Sequence, residues 1–221
     1  MKSLSSLYYR FPTLYEFAFK FPPQGYWRWK SYRSLLRQIQ HSAFSIQHSE
    51  FSTPHSALRI PNYTKGIEVG CGAGVLAKAL VEKFPTLSLT SIDLSLEMVE
   101  FAKRKNGHPR IRFLHRDFFK LTGTYDLLVS AYAWVFFPLE ESVEKIMGLL
   151  EPKGKFFILN VGLSPFTQVY FPWLRRILRT SIYFHHPITF QDILHEKGFN
   201  THWVLIDSFE GSYLIFGQRS D

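Results

Sequence analysis

From residue 65 onward, short runs of β-branched and other apolar residues alternate with longer amphipathic stretches. Residues 66–69 read as a strand, and 75–84 as a helix stopped by Pro85. A second strand covers 87–92. Ser95 then caps a helix running through Lys105, which Asn106-Gly107 and Pro109 close. Strands follow at 110–115 and 125–130. A helix over 139–150 ends at Glu151-Pro152-Lys153-Gly154, before a strand at 155–160. The tail adds helical segments and two strands, 201–207 and 212–217, whose Glu210-Gly211 turn suits an antiparallel hairpin. Alternation of this kind builds βαβ units, so an α/β fold with a mostly parallel sheet is expected.

The segments before residue 62 follow other rules. Residues 1–40 interleave aromatics such as Tyr8, Phe17, Trp27 and Tyr32 with Arg and Lys, and read as a helical appendage. Residues 41–61 repeat a heptapeptide three times, starting at His41, His48 and His55. Three histidines seven apart suggest a metal stripe on a helix, but Pro54 stops a continuous helix, and no carboxylate or cysteine shares the spacing. The repeat therefore reads as a low-complexity linker without a metal. Residues 62–221 form the main domain, with an aromatic insertion at 164–190 that carries Arg175, Arg176 and Arg179.

Charge changes this picture in one place. The chain of 221 residues has a net charge of +8, and the first 59 residues hold eight Lys or Arg against Glu16 and Glu50. A basic-aromatic surface suits phosphates, nucleobases or an anionic membrane, whereas a solvated helical cap with its aromatics packed inward explains the same residues without a ligand. Cys71 is the one cysteine, so no internal disulfide is expected. Neither a signal peptide nor an apolar run long enough for a membrane span is evident, which points to a cytoplasmic chain with at most peripheral membrane contact.

The candidate chemistry lies in Glu68-Val-Gly70-Cys71-Gly72-Ala-Gly74, between the first strand and its helix. Glycines there let the backbone turn sharply and let a ligand approach peptide groups at a helix N-terminus. Val75 stands where a dinucleotide fingerprint needs its third glycine, which argues against a nicotinamide cofactor. Glu68 disfavours a pyrophosphate and suits a cationic ligand. Asp93, ending strand two, is placed to accept both hydroxyls of a ribose, and Asp117 follows strand three. Three carboxylates at successive strand ends converge on one crevice.

On these motifs, residues 58–160 resemble a class I S-adenosylmethionine-dependent methyltransferase. Ile67 to Gly74, Asp93-Leu94-Ser95 to Ala102, and Leu150 to Gly154 match its motifs in order. The resemblance implies a doubly wound, seven-stranded, mostly parallel sheet of Rossmann-like kind, in the order 3-2-1-4-5-7-6. It implies S-adenosylmethionine as cofactor, with Glu68, Gly70, Cys71, Gly72 and Gly74 around the methionine moiety and Asp93 on the ribose. Leu94 and Met98 would line the adenosine, Asp117 would accept from the adenine amino group, and the Phe118 amide would donate to the ring. Lys78 departs from the pattern without disturbing it. The run Ser130-Ala-Tyr132-Ala-Trp134 lacks the Asn-Pro-Pro-Tyr clamp of amino-methylating DNA enzymes, and the acidic pair of the polyamine synthases is absent as well.

A methyl acceptor is expected to be a small lipophilic or aromatic molecule, covered by the 164–190 insertion. Tyr132, His185 and His186 are candidate catalytic residues, with Glu140 a further base in reach by sequence context; for the histidines, capping or packing beside Pro187 is the competing role. Two other functions stay open. One is methylation of RNA through the basic N-terminal segment, and the other is a catalytically silent module that binds S-adenosylmethionine.

Overall fold

The computed structural model describes residues 24–41, 62–162, 164, 183, 185–208 and 211–220, with side chains in the first helix from Lys30 on. Helix α1 (Gln24–His41) precedes β1 (Lys65–Val69), α2 (Val75–Lys83), β2 (Ser88–Asp93), α3 (Leu96–Asn106) and β3 (Ile111–His115). Then come β4 (Tyr125–Ala131), α4 (Leu139–Leu149), β5 (Leu150–Asn160), α5 (Pro187–Glu196), β6 (Phe199–Asp207) and β7 (Ser212–Arg219). The heptapeptide repeat and most of the 164–190 insertion, with Arg175, Arg176 and Arg179, lie outside the described residues.

The strands form one sheet in the order β3-β2-β1-β4-β5-β7-β6. All neighbours are parallel except that β7 runs antiparallel to both β5 and β6. The expected strand order and the expected antiparallel last strand are both present. Because β1 and β4 are adjacent while their crossovers leave in opposite directions, the carboxyl ends of these two strands border a topological switch point. A crevice for ligands opens there in doubly wound sheets.

Strand side chains alternate between two apolar layers. Leu89, Phe113, Leu127, Val129, Phe157, Leu159 and Leu214 pack with α1, α2 and α3. Ile67, Val69, Ile92, Leu128, Phe156, Ile158 and Ile215 pack with α4 and α5. Helix α1 shows why it joins the first layer: Ser31, Leu35 and Ile39, spaced by four, are buried, while Arg33, Arg37 and His41 are exposed on the other side. Lys30 reaches the buried Asp207 carboxylate at the end of β6, 3.8 Å away. No helix among the described residues is long and apolar enough to cross a membrane.

Local caps follow the sequence closely. Ser95 Oγ accepts from the Met98 amide at 3.2 Å, as its position before α3 implies. Arg110, just before β3, closes α2 by donating to the carbonyls of Val81 and Phe84, and it also donates to that of Leu87 before β2. One boundary differs from expectation. Leu150 leaves α4 and pairs with Tyr125, and the ladder resumes at Lys155 opposite Leu127. The Glu151-to-Gly154 turn is thus an excursion inside β5, with Lys153 at φ 63°, and periodicity is blind to a strand that begins before such a bulge.

Leu35→Ala is expected to lower unfolding free energy by about 2 to 5 kcal/mol, because the side chain is wholly buried in the layer it shares with α2 and α3. Denaturant titration checks this, and a loss below about 0.5 kcal/mol would mean that α1 contributes nothing to the core.

Candidate functional site

The glycine loop leaves β1 and folds back on β2. Gly70, Gly72 and Gly74 have φ of 78°, 50° and 78°, a region other residues enter only with strain. The Ile92 carbonyl accepts from both the Gly70 and Cys71 amides, at 2.9 and 2.8 Å. Gly74 donates to Cys71 O at 2.9 Å, and Asn106 Nδ2 steadies the loop from α3 by donating to Ala73 O at 2.8 Å. Gly70 also has no room for a side chain, since a Cβ there would run into Ala133 Cβ from the far side of the switch point. The Gly70, Cys71 and Gly74 amides are therefore committed to shaping the loop. The amides left for a ligand are those opening α2, which begins at Val75.

Asp93 is the link between loop and sheet. Its Oδ2 accepts from the Gly72 amide and its Oδ1 from the Ser95 amide, each at 2.9 Å. Burial raises its pKa, against which the amides of Ser95, Gly72 and Leu94 and the charge of His115 act. A carboxylate has about four lone-pair sites, so both oxygens keep capacity for ribose hydroxyls. Beside it, Leu94, Leu96 and Val75 are 74%, 51% and 48% exposed around the loop. Apolar groups uncovered at a glycine cradle fit the adenosyl part of the cofactor that the resemblance implies.

Glu68 lies beneath the loop, completely buried, and Ser91 Oγ donates to its Oε2. Desolvation pushes its pKa up to about 8; the Ser91 hydrogen bond lowers it and the neighbouring Asp93 charge raises it. At neutral pH this group is mostly protonated in the protein alone, and a cation above it would favour the ionised form. Cys71 is buried, donates to Gly72 O at 3.7 Å, and is held far above a thiol's ordinary pKa by burial and then by Glu68 and Asp93. It is an inert, structural thiol.

Two expected cofactor residues have buried side chains; for Phe118 the expected role belongs to its backbone amide. Met98 is fully buried under the start of α3, and Phe118 is buried among Phe119, Trp134 and Phe137, with ring centroids 5.1 to 5.5 Å apart. Asp117 is half-buried and its Oδ1 caps the short turn after β3 by accepting from Phe119 N at 3.0 Å. Ser91, Asn106 and Ala133 were not singled out in the sequence. Ser91 was legible in principle, since it stands opposite Glu68 once β1 and β2 are paired in parallel.

The candidate catalytic residues stand in different local settings. Tyr132 flanks the switch point at the end of β4, with φ of 63° and its amide donating to Leu159 O at 2.8 Å. A left-handed backbone at an aromatic residue costs on the order of 1 to 2 kcal/mol. His185 is buried, with Nε2 2.9 Å from Phe137 O and its ring stacked on Tyr183. Burial lowers its pKa, so the ring is neutral and its Nε2 proton is held by a carbonyl. His186 occupies the N-cap position of α5, exposed, and makes no side-chain cap bond. Glu140 is exposed in the first turn of α4.

The Glu68 shift has a defined consequence for stability. A carboxyl whose folded pKa is about 8 against 4.5 in the reference state binds a proton in the folded chain that the unfolded chain releases. Its contribution is fully present below pH 4.5 and is lost as pH rises toward 8. Glu68→Gln should therefore match the wild type near pH 4 and exceed its unfolding free energy by a few kcal/mol above pH 8. Parallel stability curves across that window would show that Glu68 is ionised throughout.

Residues 67–154 match the family model described as a methyltransferase domain. Over 108 residues the chain is 32% identical to the malonyl-acyl-carrier-protein O-methyltransferase of Priestia megaterium, covering 47% of this chain and 39% of that protein. The chain spans about two-fifths of the length of the curated relatives it matches. The magnesium protoporphyrin IX methyltransferase of Synechocystis, solved with bound S-adenosylhomocysteine, has the same fold at a TM-score of 0.64 and 16% identity, over 89% of this chain and 86% of that one. Human N-acetylserotonin methyltransferase, solved with S-adenosylmethionine, gives 0.64 at 21% identity, over 86% of this chain and 52% of its own. With the glycine cradle, the carboxylates and the strand order already in place, these matches support a class I methyltransferase domain over residues 67–154, with S-adenosylmethionine as its cofactor.

Proposed function

We propose that the protein transfers the methyl group of S-adenosylmethionine to a small acceptor with an apolar or aromatic body. The observation that carries this reading is the loop held by Asp93, where three left-handed glycines, a buried acid and exposed Leu94 meet at the switch point. The cofactor supplies an electrophilic methyl group. The chain then has to hold the cofactor through the loop and Asp93, exclude water, and align the acceptor atom at about 3 to 3.5 Å from the methyl carbon. Phe118, Phe119, Trp134 and Phe137 give the region after β4 an apolar floor suited to that exclusion.

A second reading is favoured by one specific observation. Among the expected bases, His185 is buried with its Nε2 turned to Phe137 O. A carboxylate acceptor is already ionised at neutral pH and needs no base, unlike a hydroxyl. Such an acceptor is what the names of the curated relatives describe, O-methylation of a malonyl group on acyl-carrier protein. The basic N-terminal segment would suit an anionic carrier.

Incubation with methyl-labelled S-adenosylmethionine tests both readings, using fractionated extract in one arm and malonyl-acyl-carrier protein in the other. Label in the small-molecule or lipid fraction supports the first reading, and label on the carrier arm supports the second. Label in RNA, lost steeply with added salt, would replace both with phosphate-guided RNA methylation. No label anywhere, with S-adenosylhomocysteine still bound, would leave a silent binding module. Asp93→Asn should weaken S-adenosylhomocysteine about 10- to 100-fold by calorimetry, the effect of losing one or two charge-assisted hydrogen bonds. Unchanged affinity would remove Asp93 from the ribose role.

A further inference from the structure

We propose that the outer edge of β6 is a self-association surface, where a second copy of this chain pairs antiparallel about Val204 and joins the two sheets into one. The inference goes beyond the transferase reading and does not depend on it. Strands β3 and β6 are the two edges of the sheet, and they are built in opposite ways. Arg112 in β3 and Arg116 just after it are exposed. Cations along an edge keep a further strand from adding to it. Strand β6 reads Phe-Asn-Thr-His-Trp-Val-Leu-Ile-Asp over 199–207, without Lys, Arg or Pro. Within it Val204 and Leu205 are 39% and 51% exposed, beside the half-buried Trp203.

Main-chain directions fix where a partner can pair. In an antiparallel ladder, successive residues turn their N–H and C=O alternately toward the neighbouring strand and away from it. Gly198 O accepts from Ser220 N at 3.0 Å, which turns the even positions toward the β7 side. The odd positions therefore face out, and among them Thr201 O accepts from Gln191 Nε2 of α5 at 2.7 Å. Helix α5 thus occupies the edge at Thr201. At the other end, the register shift between Leu205 and Asp207 breaks the alternation. The open stretch runs from Trp203 to Leu205, with the outward groups of these two residues placed symmetrically about Val204.

That symmetry names a second copy as the occupant. Around a two-fold axis through Val204, Trp203 lies opposite Leu205 of the partner subunit in a hydrogen-bonded pair, and the reverse pair repeats it across the axis. The two Val204 side chains meet in the intervening pair, where Cα atoms approach to about 4.5 Å. Because Val204 points to the opposite sheet face from Trp203 and Leu205, apolar pairs close both faces of the joint. Charge permits the same register. His202 falls opposite Ile206 of the partner subunit rather than opposite its own copy, and the buried Asp207 carboxylate faces Lys30 at 3.8 Å. A strand rich in cations or carboxylates would find no counter-charge along 203–205. The joint is short, so the association is weak and reversible.

Sedimentation of the full chain from low to high micromolar concentration tests this. The wild type should pass from monomer to dimer, and Leu205→Lys should weaken the association at least about tenfold while leaving the unfolding midpoint unchanged, since the side chain is exposed. Under oxidation, Val204→Cys should give a disulfide-linked dimer, because the two-fold brings its Cβ atoms within bridging reach. His202→Cys, on the same face but about 13 Å from its own copy in this register, should not cross-link. The buried native Cys71 does not compete. A wild type that stays monomeric throughout overturns the proposal, as does equal cross-linking at positions 202 and 204. A dimer that Leu205→Lys leaves intact places the interface elsewhere and overturns it too. A monomer that captures a different protein, released by Leu205→Lys, would assign the edge to that partner and refute the two-fold pairing.

Discussion

The pair of hydrogen bonds that Asp93 makes to Gly72 and Ser95 holds together the two halves of the ligand edge. On one side the bond fixes the glycine loop against β2, and on the other it fixes the start of α3. With the Ile92 carbonyl taking the Gly70 and Cys71 amides, the loop is pinned at three consecutive residues. That pinning is what allows α2 to begin close to the sheet with its first amides open. It also requires left-handed backbone at the glycines, and at Gly70 the lack of a side chain lets the β4 end approach through Ala133. Loop shape, helix direction and the width of the crevice are thus set by one carboxylate and three residues without side chains.

Beneath that loop the chain buries carboxyl groups and a thiol together, an arrangement that makes sense electrostatically only if some of them are neutral. Burial and, after it, the Asp93 charge raise the pKa of Glu68, and Cys71 feels both carboxyl groups. Neutralising Glu68 through its proton spares the fold an uncompensated buried charge. A sulfonium and an ammonium arriving above the loop would supply the missing positive charge, so the site is better matched to a cationic ligand than to a phosphate-bearing one. This is the same preference that the position of Glu68 before the first glycine implies, now with a physical cause.

Much of the α/β framework was legible because its signals are local. Ser95 caps α3 through its own hydroxyl, Pro85 stops α2 nearby, and each strand from 66 to 130 is a run of apolar residues between turns. The strand order came through resemblance, since periodicity says nothing about which strands are neighbours. What stayed hidden depends on contacts between distant segments. The partnership of Glu68 with Ser91, the pressure of Ala133 on Gly70, and the φ of Tyr132 appear only after β1 is placed between β2 and β4. The early start of β5 was missed because Leu150 pairs with Tyr125 across a bulge. His185 and His186 looked alike as candidate bases in the sequence; a carbonyl 2.9 Å from the His185 Nε2 and the exposure of His186 separate them.

Helix α1 is where sequence pattern and site meet. Its residues could be read equally as a basic surface or as a cap with aromatics turned inward, and the structure divides them by face: Ser31, Leu35 and Ile39 enter the core, Arg33 and Arg37 face out, and Tyr32 stands on the border. Because the buried stripe repeats every four residues, the side on which Tyr32 lies is fixed by Leu35 and Ile39, so the packing that adds α1 to the fold also brings Tyr32 against Tyr132.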